Sequence, residues 1–136
     1  GGEDWMFFRF ASETFGITRQ DYERPYPDPI DVVAGAIVTP VLDGSVSTDI
    51  IGWTWCVAED GRTGWVPDSW CEKVDAGWRL MRDFNALELT VRSGQRLQLL
   101  YSESGFVMAR TEAGEQGWVP DGILNLENAP SGDANR

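Results

Sequence analysis

The sequence predicts an all-β chain organised as two tandem units of five short strands, each a small barrel or sandwich, packed as one unit. Three observations carry that expectation. An internal repeat divides the chain, apolar residues alternate with period two over short runs, and turn residues recur at close spacing with no long helical pattern between residues 19 and 126.

The repeat is the strongest of these. Gly61-Arg62-Thr63-Gly64-Trp65-Val66-Pro67-Asp68 is echoed by Gly114-Glu115-Gln116-Gly117-Trp118-Val119-Pro120-Asp121, with six of eight columns identical at an offset of 53. Upstream, Gly52-Trp53 lies over Gly105-Phe106, Asp21-Tyr22 faces Asp83-Phe84, and residues 30–35 face residues 89–94. Two homologous units follow, residues 19–74 and 79–126, with 75–78 as a short linker around Ala76-Gly77.

In chain order, residues 1–18 come first as an arm. Trp5, Met6, Phe7, Phe8 and Phe10 are too apolar to remain in water, yet neither period is clean, so the arm is expected to dock on the first barrel. Ile30/Val32 and Leu89/Val91 each flank a polar residue, as a half-buried strand requires. Residues 52–58 and 96–101 are rich in β-branched, aromatic and long apolar side chains. Asp60-Gly61 is a hairpin-turn signal, and Ala113-Gly114 holds the equivalent place. Pro67 and Pro120 lack an N–H and so end ladder pairing, while their fixed φ suits the start of a helical turn. Residues 127–136 hold no large apolar side chain and read as a disordered, solvated tail.

Composition narrows function. Twenty-two acidic against eleven basic residues give a net charge of −11, which disfavours nucleic acid and anionic membrane surfaces as partners. Histidine is absent, which removes the commonest general base and zinc ligand, so no catalytic residue, metal or cofactor is expected. No apolar run approaches the roughly 18 residues of a membrane span, and a soluble, cytoplasmic protein is the default reading. Cys56 and Cys71 are too few for a disulfide scaffold or a metal cluster and are expected as free, buried thiols.

The order Asp-Tyr/Phe, a loop, (Ile/Leu)-x-Val-x-x-Gly, an apolar strand, Gly-aromatic and Gly-x-x-Gly-Trp-Val-Pro resembles the Src-homology-3 (SH3) domain, whose pattern runs ALYDY, a loop, ELSF-x-x-G, WW-x-A-R and G-x-x-G-x-V-P-S-N-Y-V. Residues 19–126 are similar to the small bacterial tandem-SH3 proteins. The resemblance implies two strongly bent, five-stranded barrels and a surface that binds polyproline-II peptides, whose pyrrolidine ridges fit slots between aromatic walls. Carried over by position, it implies a groove in the first barrel from Tyr22, Trp53, Pro67 and Trp70, with Tyr26, Asp28 and Asp31 on the bordering loop. Glu23, Asp28 or Asp31 would supply the carboxylate that pairs a ligand Arg or Lys.

Each of these residues also has a plainer reading. Trp53 and Trp70 suit half-buried filling of a small barrel, and Tyr26 suits a lid as well as a wall. Trp65 and Trp118 fit packing better than a groove. Departures from the pattern are also plain: Gln20 and Arg82 stand where the first aromatic of ALYDY belongs, and Ile123 replaces the tyrosine of V-P-S-N-Y. Ten positions lead from Phe84 to Gly94, against thirteen from Tyr22 to Gly35, so the second groove is expected to be degenerate. The expected function is a non-enzymatic interaction module that binds proline-rich or basic peptide segments through the first barrel, as a monomer or weak homodimer. Two alternatives stand beside it: a structural or assembly module without peptide binding, and a cell-wall-targeting module.

Overall fold

The computed structural model describes residues 7–46 and 50–127. Trp5, Met6, the Ser47 end of the loop after Val38 and residues 128–136 of the expected tail lie outside the described residues. Among the described residues the fold is all-β, with no α-helix and none long and apolar enough to cross a membrane.

Among the described residues thirteen strands form in chain order. They are β1 (Phe7–Arg9), β2 (Phe15–Thr18), β3 (Asp31–Val32), β4 (Ile37–Pro40), β5 (Trp53–Ala58), β6 (Thr63–Pro67), β7 (Cys71–Val74) and β8 (Gly77–Leu80). Then follow β9 (Phe84–Asn85), β10 (Arg96–Glu103), β11 (Phe106–Arg110), β12 (Gln116–Pro120) and β13 (Leu124–Leu126). Single 3-10 turns at Asp68–Trp70 and Asp121–Ile123 follow Pro67 and Pro120, where the missing N–H and fixed φ end the ladder.

The chain divides into two compact units, and the division departs from the repeat boundaries. One unit is residues 24–88; the other joins residues 7–23 to residues 89–127. In sequence, the first unit is therefore an insertion within the second.

Within the first unit the strand order is β6-β5-β4-β8-β7, all antiparallel neighbours, with β3 pairing β9. The expected linker at 75–78 is instead a tight hairpin: Val74 pairs with Gly77 across Asp75-Ala76, and β8 returns along both β7 and β4. Gly77 has φ +141, and a Cβ there would stand 2.7 Å from the Val38 carbonyl oxygen, so the close return of this strand requires glycine. The core holds Ile30, Val38, Trp53, Cys56, Val66, Trp70, Leu80 and Phe84.

The second unit repeats that order as β12-β11-β10-β2-β13, with β1 also on β10. Leu89, Val91, Leu97, Leu99, Val107, Ala109, Val119 and Ile123 form its core, with Phe10, Tyr22 and Leu124 packed against it. The arm expected on the first barrel is a correction here. β1 pairs β10, while β2 pairs β10 and β13, so residues 7–18 are built into the second unit. A β-strand needs a ladder partner on each side it buries, and the arm's lack of a clean period reflects two short strands separated by a turn, where Glu13 has φ +61.

The repeat itself is geometrically exact in its turns. Gly52 and Gly105 both have φ +92. The Gly52 carbonyl accepts the Asp68 N–H and the Gly105 carbonyl accepts the Asp121 N–H, each at 2.9 Å.

Candidate functional site

β5 and β6 form a long antiparallel ribbon in the first unit, and the period of two sends alternate side chains to opposite faces. Cys56 and Ala58 are buried on one face of β5, while Trp53 and Trp55 share the other, Trp53 buried beside Phe84 and Trp55 half-buried and paired in register with Trp65. The two indoles meet edge to face at 5.3 Å between ring centroids, and Tyr26 adds a third ring 5.0 Å from Trp55. Tyr26 is exposed, so the row Tyr26, Trp55, Trp65 reaches the surface.

Beside this row lies a cleft of about 200 Å³ between the loop before β5 and the β5–β6 ribbon. Val41, Ile50, Trp53, Trp55 and Trp65 line it with Asp68, so the cleft includes one of the residues of the expected groove. At its mouth Leu42 is 71% and Ile51 81% exposed, an arrangement that leaves apolar surface open to a partner. The Thr54 hydroxyl donates to Asp68 Oδ1 at 2.7 Å, which fixes the carboxylate at the cleft edge.

The carried-over groove is arranged otherwise. Tyr22 lies in the second unit, where its backbone exchanges hydrogen bonds with Val91 at 2.9 and 2.8 Å, so it does not join Trp53 and Trp70 within the first unit. The aromatic that does join them is Phe84, which sequence alignment of the repeats had placed in the second unit. Its ring lies 5.6 Å from Trp70, edge to face, and 6.3 Å from Trp53. Trp53 is 6% and Trp70 5% exposed, and Pro67 is fully buried, so the three are core residues in place of open walls. Arg82 covers the face of Trp70, with its guanidinium carbon 3.8 Å from the ring centroid, a cation–π contact. The departure at Arg82 thus fills a slot in the first unit, not the second.

The loop carboxylates are divided. Asp28 accepts from Arg62 Nη1 at 3.1 Å, and Asp60 accepts from Arg62 Nε at 2.9 Å. The Arg62 backbone N–H, and then its guanidinium, hold the Asp60 carboxyl below the usual carboxylate range. Asp31 is on β3 opposite Asn85 and borders a different, open groove with Val33, Ala36, Ile37, Ala58, Glu59 and Asp60. Tyr26, Asp28 and Asp31 therefore do not converge on one pocket.

Cys56 is buried and Cys71 half-buried, both free. Burial pushes the Cys56 thiol up to about 12 and the Cys71 thiol up to about 11, so neither is a thiolate nucleophile near neutrality. Among the described residues no group of three or more Cys, Asp or Glu is placed to hold a metal ion.

Sequence reasoning missed Phe84 and the Trp55–Trp65 row. The Trp55 signal was present in the alternation along residues 53–58, because a second tryptophan two positions from a buried one must share its face unless the strand is irregular. The β5–β6 ladder is regular, so Trp55 does share the face of Trp53 and lies opposite Trp65.

Residues 15–74 match the model of the variant SH3 domain family. Comparisons with curated proteins and with solved structures return no match. The matched span begins on β2 and ends on β7, so it joins a strand of the second unit to five strands of the first. The chain is all-β and SH3-like, and SH3 domains in general are non-catalytic modules of protein interaction.

Proposed function

We propose that the first unit docks an extended, proline-containing, basic segment of another protein on the row Tyr26, Trp55 and Trp65 and in the adjoining cleft. The observation that carries this reading is that row: three aromatic rings in tilted and edge-to-face contact reach the surface next to an apolar cleft, while Phe84 and Arg82 cover Trp70. Proline rings of a polyproline-II segment stack on aromatic faces at low entropic cost. Asp68 at the cleft edge and the net charge of −11 favour a cationic ligand over an anionic one.

A shallow surface of this kind supports an affinity on the order of 10 μM, about −7 kcal/mol. The test is a proline-rich peptide array followed by heteronuclear NMR shift mapping. Amide and indole peaks of Ile51, Trp55 and Trp65 should move first, and Trp65→Ala should weaken binding by about 30-fold, the scale of an aromatic hot spot. A ligand that instead perturbs Trp70, Phe84 and Arg82 and leaves Trp55 and Trp65 unmoved would mean that the buried slots open, and this docking face would be wrong.

A second reading, an assembly module without peptide binding, is favoured by one observation: Trp53, Pro67, Trp70 and Phe84 are all buried. Absence of any peptide ligand together with a stable larger complex would select it.

A further inference from the structure

The closing strand of the second unit is a separate piece of chain. Residues 7–23 and residues 89–127 meet in space but are separated in sequence by the 65 residues from Arg24 to Glu88, which form the other compact unit. We propose that residues 7–23 are an exchangeable closing segment, and that its partner surface, the strip between β10 and β13, also accepts residues 7–23 from a second copy of this chain.

Three observations carry the inference. First, the segment's ladders all run to residues 89–127. Ile17, Gly16 and Phe15 pair with Arg96, Leu97 and Gln98 on one side, and Thr18, Ile17 and Gly16 pair with Leu124, Asn125 and Leu126 on the other. Both edges of β2 are satisfied only there, and residues 89–127 without it would expose two open strand edges, the usual template for pairing with another chain.

Second, the strip is cut to this sequence. A Cβ on Gly16 would stand 3.2 Å from both the Asn125 carbonyl oxygen and Leu99 Cδ1, so a bulkier residue cannot lie there without displacing backbone. The Thr18 hydroxyl donates to the Arg92 carbonyl and accepts the Gln95 N–H at 2.9 Å. Asp21 accepts the Ser93 N–H at 2.7 Å, and Arg96 stacks on Phe15 with its guanidinium carbon 3.7 Å from the ring centroid while pairing with Glu127 at 2.9 Å. A foreign strand would forfeit these contacts; a second copy reproduces every one.

Third, the connection leaving the segment is stiff. Pro25, Pro27 and Pro29 alternate directly after Glu23, and each proline biases the residue before it to extended backbone. A connector whose φ angles are fixed by three prolines gains little freedom when the segment is released, which is the setting in which exchange between copies competes with closure within one. The same contacts form in both states, so the balance follows protein concentration.

The test uses full-length chains. Ile17→Cys and Asn125→Cys, which face each other across β2 and β13, are prepared separately, mixed, unfolded and refolded together at high concentration, then oxidised with oxidised glutathione. Exchange predicts a disulfide-linked dimer containing one of each variant, well above the yield from Ile17→Cys mixed with Gln116→Cys, whose position on β12 pairs with Arg110 of β11 and not with β2. Equal yields in the two mixtures would overturn the proposal. In parallel, unlabelled and isotopically heavy wild-type chains refolded together should give a mixed dimer by native mass spectrometry at high concentration. Wild-type chains that remain monomeric at every concentration would equally overturn it.

Discussion

Phe84→Ala separates the observed assignment of residues from the one the repeat suggests. Phe84 is 3% exposed and touches both Trp53 and Trp70, so truncation removes a fully buried ring from the centre of the first unit. Loss of a buried Phe costs about 3–5 kcal/mol, and the two aromatic contacts belong to the upper part of that range. A whole domain is stable by only about 5–15 kcal/mol, so a unit of this size should lie at or near its unfolding midpoint in buffer. Phe84→Leu keeps most of the volume and should cost about 1–2 kcal/mol, which leaves a folded variant to measure. The assay is urea unfolding followed by tryptophan fluorescence, with amide spectra recorded in parallel. Shifts should centre on residues 53, 70 and 82, and the Trp53 and Trp70 emission should move red in Phe84→Ala. If the perturbed amides instead cluster in residues 89–127 and the first unit is unchanged, Phe84 belongs with the second repeat and the nested division of the chain is wrong.

Three further outcomes follow from the same structure. A fragment of residues 24–88 should unfold cooperatively by circular dichroism, whereas residues 15–74, which lack β8 and its buried Leu80, should not; a cooperative melt of 15–74 at equal temperature would contradict this. Cys56 and Cys71 should resist thiol reagents in the native state. Because their folded pKa values are raised from 9.0, the unfolded chain releases these protons first, so stability should fall as pH rises above about 9 toward 11 to 12, and Cys56→Ala should flatten that slope in urea melts. Glu127, lowered from 4.5 by its hydrogen bond to Arg96, contributes stability present above about pH 4.5 that is lost as pH falls through its folded pKa, and Glu127→Gln should remove that part of the acid dependence.

The all-β class, the paired 3-10 turns after Pro67 and Pro120, and the equivalent glycine turns at Gly52 and Gly105 were legible because each rests on residues adjacent in sequence. Period two needs only a strand's own side chains, and a proline acts on its own backbone. The groove was legible only in part. Trp53, Pro67 and Trp70 do come together, but their closure depends on Phe84 and Arg82, which arrive on a strand that alignment of the repeats gives to the other unit. Contact of the Tyr26 ring with Trp55 depends on the path of a loop, which no periodicity records.

Aligned columns show that two segments play the same part; they do not say in which barrel each plays it. Here residues 15–22 and 77–84 are the equivalent pair, and β2 stands between β10 and β13 as β8 stands between β4 and β7. The connectors decide between the two arrangements. For residues 15–22 to complete the unit that follows them, the chain would have to reverse within residues 23–30, where prolines at 25, 27 and 29 favour extended backbone. For residues 77–84 to complete the unit that follows them, it would have to reverse within the few residues between Asn85 and Leu89. The hairpin at Asp75-Ala76, by contrast, returns β8 along β7 in two residues, with Gly77 supplying the φ that the turn requires. Local reversal is built in at that one place, so β8 joins the unit whose strands its own hairpin lays it against, and residues 15–22 close the other.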